Sequence, residues 1–302
     1  MLYQLDSLSQ EQLSLPETKP DKIYQSLVEN RVEVFNNKSN VKDMIYLGDY
    51  KALTKTVFGH KIIVDTRDIS LTPHILLDGS WEIWMARVLK EVIKEGMTVV
   101  EIGANIGYHT LFSASLVGEK GKVYAFEANP KVFENLYKNI AINGLDDRTI
   151  LVNKAVFKES QKLNFHTLKQ YQGSSSIIDF SDEFLKHYMD EVEMIEVDAL
   201  SLDNFFADKT PKIDLIKIDA EGSEPYIFQG MKNIISHNPQ VTIICEFSPQ
   251  LISGAGEDPK NFLEEVNNCG FKLMRINTDS KLVSVSIDDL LKTPHCDIFL
   301  RR

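Results

Sequence analysis

Glu101, Gly103, Asn105, Gly107 and Glu127 stand in the pattern of a nucleoside cradle. The first four lie within Val99-Val-Glu-Ile-Gly-Ala-Asn-Ile-Gly-Tyr-His-Thr, where a β-branched run stops at one glycine and helix-forming residues begin after another. Gly103 and Gly107 keep side chains out of the turn, and Asn105 between them tolerates a left-handed backbone. A strand, such a turn and a helix N-terminus together aim backbone N–H groups at a ligand. Glu127 closes the next apolar run, Lys122-Val-Tyr-Ala-Phe, and follows Gly107 by 127 − 107 = 20 positions. A carboxylate at that distance is placed to accept both hydroxyls of an unphosphorylated ribose.

A second group is acidic. Asp219, Glu221 and Glu224 crowd the end of the apolar run over 213–218, and Glu246 ends the run after it. Like charges so close raise one another's pKa and hold one carboxyl nearer neutrality. Glu221 also reads as a cap of the following helix with Glu224 on its first turn, where the dipole favours both. Asp219 and Glu246 could together hold a divalent cation such as Mg2+, although two carboxylates without further clear ligands make a thin set. His109, on the first turn after the cradle, reads equally as a substrate contact or a helix-end residue. His74, His166, His187, His237 and His295 show no ligand spacing and read as surface or core residues.

The elements that hold these groups alternate. Hydrophobic patterning places strands at about 98–102, 122–127, 149–153, 213–218, 241–246, 271–276 and 296–300, and helices near 107–117, 130–142, 224–235 and 258–268. Asn129-Pro130 starts one helix and Asn143-Gly144 closes it. The last two strands have no full crossover helix between them, which favours an antiparallel pair at the end of a mostly parallel sheet. Residues 154–200 read as an insertion with strands near 162–167 and 192–197 around a flexible loop at Gly173-Ser-Ser-Ser. Upstream, residues 56–65 read as a hairpin turning near Gly59-His60, and 81–94 as a helix. Residues 22–35 have amphipathic spacing, compatible with a cap or a homodimer contact, and 1–22 form a polar arm. The expected division is an N-terminal extension over 1–80, packing on a main domain over 81–302.

Composition narrows the function. The chain has 302 residues, 43% of them hydrophobic, enough for one large α/β domain. A formal net charge of −11 argues against a nucleic-acid partner, since phosphate neutralisation requires basic surface. Cys245, Cys269 and Cys296 are widely spaced among apolar neighbours and read as core thiols of a reducing compartment. No apolar run reaches membrane-spanning length, so a cytoplasmic protein with no membrane partner is expected.

Three motifs in order, the cradle, Val123-Tyr-Ala-Phe-Glu-Ala-Asn-Pro, and Ile213-Asp-Leu-Ile-Lys-Ile-Asp-Ala-Glu-Gly-Ser-Glu, resemble those of the FkbM family of methyltransferases. The resemblance covers roughly 57–247, including Leu76-Leu-Asp-Gly-Ser-Trp-Glu. It implies a class I methyltransferase sheet, S-adenosylmethionine as cofactor, and O-methylation of a hydroxyl on a carbohydrate or other natural product. Glu127 would then hold the ribose, and Glu101 the methionine ammonium or the loop itself. Gly103, Asn105 and Gly107 would shape the loop, with Tyr108 packing beside the cofactor. Ala128 and Ala155 would border it, and Asp219 would serve both cofactor and acceptor. Methyl transfer needs an aligned acceptor oxygen and an outlet for its proton; Asp219 and Glu221 are the first candidates, then Glu246 and His109. Trp81, Glu82, Ser174 and Ser175 are expected to touch the acceptor, a small molecule or glycan. Two other readings stand beside this one. A nicotinamide-dependent oxidoreductase shares the ribose carboxylate but would want a third glycine where Asn105 stands. A non-catalytic binding module on the same scaffold would not need the strand-end carboxylates.

Overall fold

A computed structural model describes residues 44–179, 189–208 and 211–302. The polar arm, the amphipathic stretch over 22–35 and His187 lie outside the described residues. Strands β1 (Ile45–Gly48), β2 (Lys51–Lys55) and β3 (Lys61–Asp65) form a small antiparallel sheet. The hairpin is present, but its first arm is β2; residues 56–58, expected as that arm, join Gly59 and His60 in the turn. Thr56 Oγ1 accepts from the His60 amide at 3.2 Å, and Phe58 is apolar because it stacks on Phe112 with ring centres 3.9 Å apart. Asn139 ties this sheet to the main domain, its side chain exchanging two hydrogen bonds with the backbone of Ile63. Helices α1 (Thr72–Asp78) and α2 (Ile83–Val92) follow.

The central sheet has eight strands. In chain order they are β4 (Thr98–Ile102), β5 (Lys122–Phe126) and β6 (Thr149–Val152), then β10 (Leu215–Ile218), β11 (Thr242–Phe247), β12 (Lys272–Ile276), β13 (Leu282–Ser284) and β14 (Cys296–Arg301). Their spatial order is β13-β12-β14-β11-β10-β4-β5-β6. Strands β6, β5, β4, β10 and β11 pair in parallel, whereas β14 runs antiparallel to both β11 and β12. This is the expected mostly parallel α/β sheet with a late antiparallel strand. The edge strand β13 was not expected, because three residues are too few for alternation to show. The chain builds outward from β4 through β5 to β6, then resumes on the other side at β10. The crevice outside the carboxyl ends of β4 and β10 is therefore the topological switch point, where open α/β sheets bind ligands.

Alternation along the strands fills two core layers. Val99, Val123, Leu215 and Ile244 face one layer, and Val100, Phe126, Ile216 and Ile243 face the other. Helices α3 (Tyr108–Val117) and α4 (Pro130–Ile142) contribute to the first layer. Asn129 caps α4, its side chain accepting from the Lys131 amide. The insertion adds a three-stranded sheet ordered β7-β9-β8, from β7 (Ala155–Val156), β8 (Gln161–Leu168) and β9 (Val192–Leu200). The Gly173–Ser176 segment, read as flexible, is built in: it contains a short 3-10 turn, and Ser176 pairs with His166 backbone to backbone in both directions. After α5 (Leu202–Phe205), the helix expected over 224–235 is two pieces, α6 (Glu224–Gln229) and α7 (Lys232–His237). The break falls at Gly230, where a Cβ would lie 2.2 Å from the Phe157 carbonyl oxygen. Helices α8 (Pro249–Gly254), α9 (Pro259–Asn268) and α10 (Ile287–Leu291) complete the order. All three cysteines are free thiols. Among the described residues no helix is long and apolar enough to cross a membrane.

Candidate active site

A cavity of about 550 Å3 opens at the switch point and gathers nearly every residue singled out from the sequence. One side of it is the glycine turn of the expected cradle. Gly103 has φ +78°, and a Cβ there would sit 1.8 Å from the Asp219 carbonyl oxygen. The turn thus passes against the end of β10 at a distance that only glycine allows. Asn105 is left-handed, as its type suggested. Its backbone N–H donates to Glu127 Oε2 at 2.9 Å, while the Asn129 N–H donates to Oε1 at 2.8 Å. Burial raises the Glu127 pKa to about 7 against the opposing pull of these amides. Each oxygen keeps a further lone pair for a ribose hydroxyl. Ala128, Lys154, Ala155, Val156 and Phe157 continue the wall. Gly107 is the exception among the cofactor candidates, since it does not line the cavity. A Cβ on it would come within 2.6 Å of Leu136, so its bareness serves the packing of α3 on α4.

Beneath the cradle runs a buried row of charge. Lys217 pairs in register with Glu101 on the neighbouring strand, and its Nζ lies 2.8 Å from Asp219 Oδ2. Both Glu101 and Lys217 are almost wholly buried. Burial raises the Glu101 pKa, with Lys217 opposing. The Lys217 pKa is raised despite its burial, because Asp219 and Glu101 hold its charge. Asp219 is driven the other way, its pKa lowered by Lys217 in spite of burial.

The rest of the lining is acidic and aromatic. Trp81, Glu82, Trp84, Tyr108, His109, Ser174, Ser175, Glu221, Glu246 and His295 all face the cavity. His109 Nε2 lies 3.3 Å from Glu82 Oε2, and its Nδ1 is buried without a partner. Oxygens of Asp219, Glu221 and Glu246 lie within 4.8 Å of one another. The pKa values of Glu221 and Glu246 are raised well above the ordinary carboxylate value, by burial first and by neighbouring carboxylates second. Glu246 Oε2 has no partner, while Oε1 lies 3.4 Å from the half-exposed His295. Glu221 does not cap the following helix, whose start at Ser223 has no side-chain cap. The Glu224 carboxylate accepts from the Ala220 and Gly222 amides and lies outside the cavity lining, whereas Glu221, at φ 49°, projects into the cavity.

Some site residues escaped the sequence reading. His295 had been read as a surface or core residue, and it meets Glu246 because β14 returns antiparallel beside β11. Lys217 does carry a sequence signal: a lysine inside an apolar strand, two residues before Asp219 and so on the same face. Trp84 lies on α2, one turn beyond Trp81, and no motif marked it.

Residues 101–273 match the methyltransferase FkbM domain, which is more than half of the chain. The hexuronic acid methyltransferase AglP of Haloferax volcanii is 22% identical over 65% of this chain and 73% of its own length. A protein-L-isoaspartate O-methyltransferase from Methanococcoides burtonii is 35% identical over 69 residues, which are 22% of this chain and 34% of that protein. This chain therefore spans about a third of the length of that relative. Among solved structures, an O-methyltransferase from Bacillus cereus in complex with SAH is 15% identical, with a TM-score of 0.42 over 78% of this chain and 83% of that one. On its domain match and its sheet, the chain belongs to the FkbM family of S-adenosylmethionine-dependent methyltransferases.

Proposed function

We propose that the protein methylates a hydroxyl of a carbohydrate. The observation that carries this reading is the trio Asp219, Glu221 and Glu246 in the cavity shared with the cradle, with proton affinities set apart by their surroundings. When bound, S-adenosylmethionine supplies an electrophilic methyl group on a sulfonium. The fit lies in the residues: Gly103 gives backbone access, Glu127 offers lone pairs to a ribose, and Glu101, which lines the same cavity, would hold the methionine ammonium. Asp219, kept ionised by Lys217, accepts a hydrogen bond from the acceptor hydroxyl and orients its oxygen. Glu221 takes the proton, and the Glu246–His295 contact leads it towards solvent. The hexuronic acid substrate of AglP supports a sugar as acceptor. Family membership sets the nicotinamide-dependent alternative aside.

The three carboxylates also offer oxygen ligands to Mg2+. Lys217 already compensates Asp219, however, and the raised pKa values of Glu221 and Glu246 favour a shared proton. We therefore assign the reaction no metal. The test is transfer of a labelled methyl group to a panel of mono- and oligosaccharides, with and without a chelator. Labelled product whose yield the chelator leaves unchanged is expected. Cofactor binding without transfer to any sugar would favour the non-catalytic module, and Mg2+-restored turnover would reinstate the metal.

A further inference from the structure

We propose that the acceptor has at least two sugar units, with the unit next to the methylated one seated in a second cavity beyond Trp84. The proposal rests on the carbohydrate reading above. This second cavity, about 310 Å3, is lined by Trp84, Arg275, Asn277, Thr293 and His295 among others. Trp84 and His295 also line the main cavity, so the two spaces meet across these side chains. The indole is held in place, its Nε1 donating to Asp297 Oδ2 at 3.2 Å. A fixed, half-buried ring with polar neighbours suits a pyranose, whose C–H face packs on the aromatic while its hydroxyls reach the rim.

The rim has free donors. Arg275 is exposed and forms no ion pair among the described residues. Asn277 Oδ1 is taken by the Lys281 amide, which orients the side chain and leaves its NH2 available. Thr293 donates its hydroxyl to the Asp289 carbonyl and so presents an oxygen lone pair. Donors and an acceptor around an aromatic floor match the mixed character of sugar hydroxyls. The reactive hydroxyl would lie over Asp219 and Glu221, and the chain of sugars would leave past His295. A single sugar fills only the first space.

The experiment uses the full chain saturated with S-adenosylhomocysteine, screened on an array of neutral, amino and uronic mono-, di- and trisaccharides. Hits are titrated by fluorescence, which is informative because the chain's two tryptophans, Trp81 and Trp84, both line the site. We expect oligosaccharides to bind roughly tenfold or more tightly than their component monosaccharides, a gain of the size of one or two rim hydrogen bonds. Arg275→Ala with Asn277→Ala removes that gain and leaves monosaccharide binding unchanged. Equal affinity for both lengths, a gain that survives the double variant, or an array without hits overturns the proposal. Methyl transfer separates the two levels. Oligosaccharides that bind as expected but are never methylated overturn the O-methyltransferase reading and leave the subsite standing. Monosaccharides methylated as efficiently as oligosaccharides do the reverse.

Discussion

Lys217 and Glu101 face each other across the adjacent parallel strands β10 and β4, an ammonium and a carboxylate both buried at the cavity lining. Asp219, two residues along the same strand, shares the ammonium. Replacing Lys217 by Met keeps the volume and removes the charge, leaving two carboxylates to be buried without a cation. Breaking such a pair costs ~3–5 kcal/mol. Lys217→Met is expected to unfold at markedly lower urea at pH 7.5 and to recover part of the loss at pH 5, where protonation replaces the lost cation. Equal losses at both pH values would mean that Lys217 matters for packing alone.

Glu127 is already saturated once by backbone amides, so its second set of lone pairs is what a ribose would use. Glu127→Gln retains the shape and loses one acceptor oxygen and the charge. Hydrogen bonds to a charged group contribute about 1.5–3 kcal/mol, so S-adenosylhomocysteine should bind ~10–100-fold more weakly by calorimetry. Undiminished affinity would remove the ribose from Glu127.

Much of this site was legible because strand ends are legible. Glu101, Glu127, Asp219 and Glu246 each stand within one residue of the end of an apolar strand, and parallel strands deliver their ends to one crevice whatever the loops do. The glycine turn was equally clear, since Gly103 and Asn105 report backbone angles that few residues accept. What could not be read depends on contacts between distant segments. Sequence spacing did not reveal that Glu224 would turn back onto the Ala220 and Gly222 amides while Glu221 faced the cavity. Nor did it bring His295 to Glu246, a meeting created by the antiparallel return of β14. The displaced arm of the first hairpin has the same origin: Val57 and Phe58 look like strand, but Phe58 is apolar for the sake of Phe112.

Glu221 is the proton acceptor in the proposed reaction, held by burial and by Asp219 at a pKa well above the ordinary carboxylate value. Its active form is ionised, so turnover should rise with pH as Glu221 loses its proton. General-base groups contribute ~10²–10⁴-fold, and Glu221→Gln should lose about that much in kcat while binding S-adenosylhomocysteine normally. It should also lose the acidic limb of the pH profile. A variant that keeps the limb would pass the role to Glu246 or to His109, which stands beside Glu82.

The same burial makes the folded protein lose stability between acid and neutral pH in the absence of ligand. Glu127 and Glu224 have pKa values of about 7, raised from 4.5, and that of Asp297 is about 6, raised from 3.8; burial is the first cause in each case. Between their ordinary and folded values the native state holds protons that the unfolded chain has released. Their contribution to stability is therefore complete below about pH 4 and declines as pH rises towards 7. The Glu127 shift alone corresponds to roughly 3 kcal/mol. Asp65 and Asp219 have lowered pKa values, and their stabilising contribution is lost only as pH falls below the ordinary carboxylate range, so they leave this window untouched. Thermal midpoints measured without cofactor should fall steadily from pH 5 to pH 7.5. Glu127→Gln, which has no proton to lose, should show a shallower fall than the parent over that range. Parallel slopes would mean that the Glu127 carboxylate ionises in the folded protein as readily as in the unfolded one.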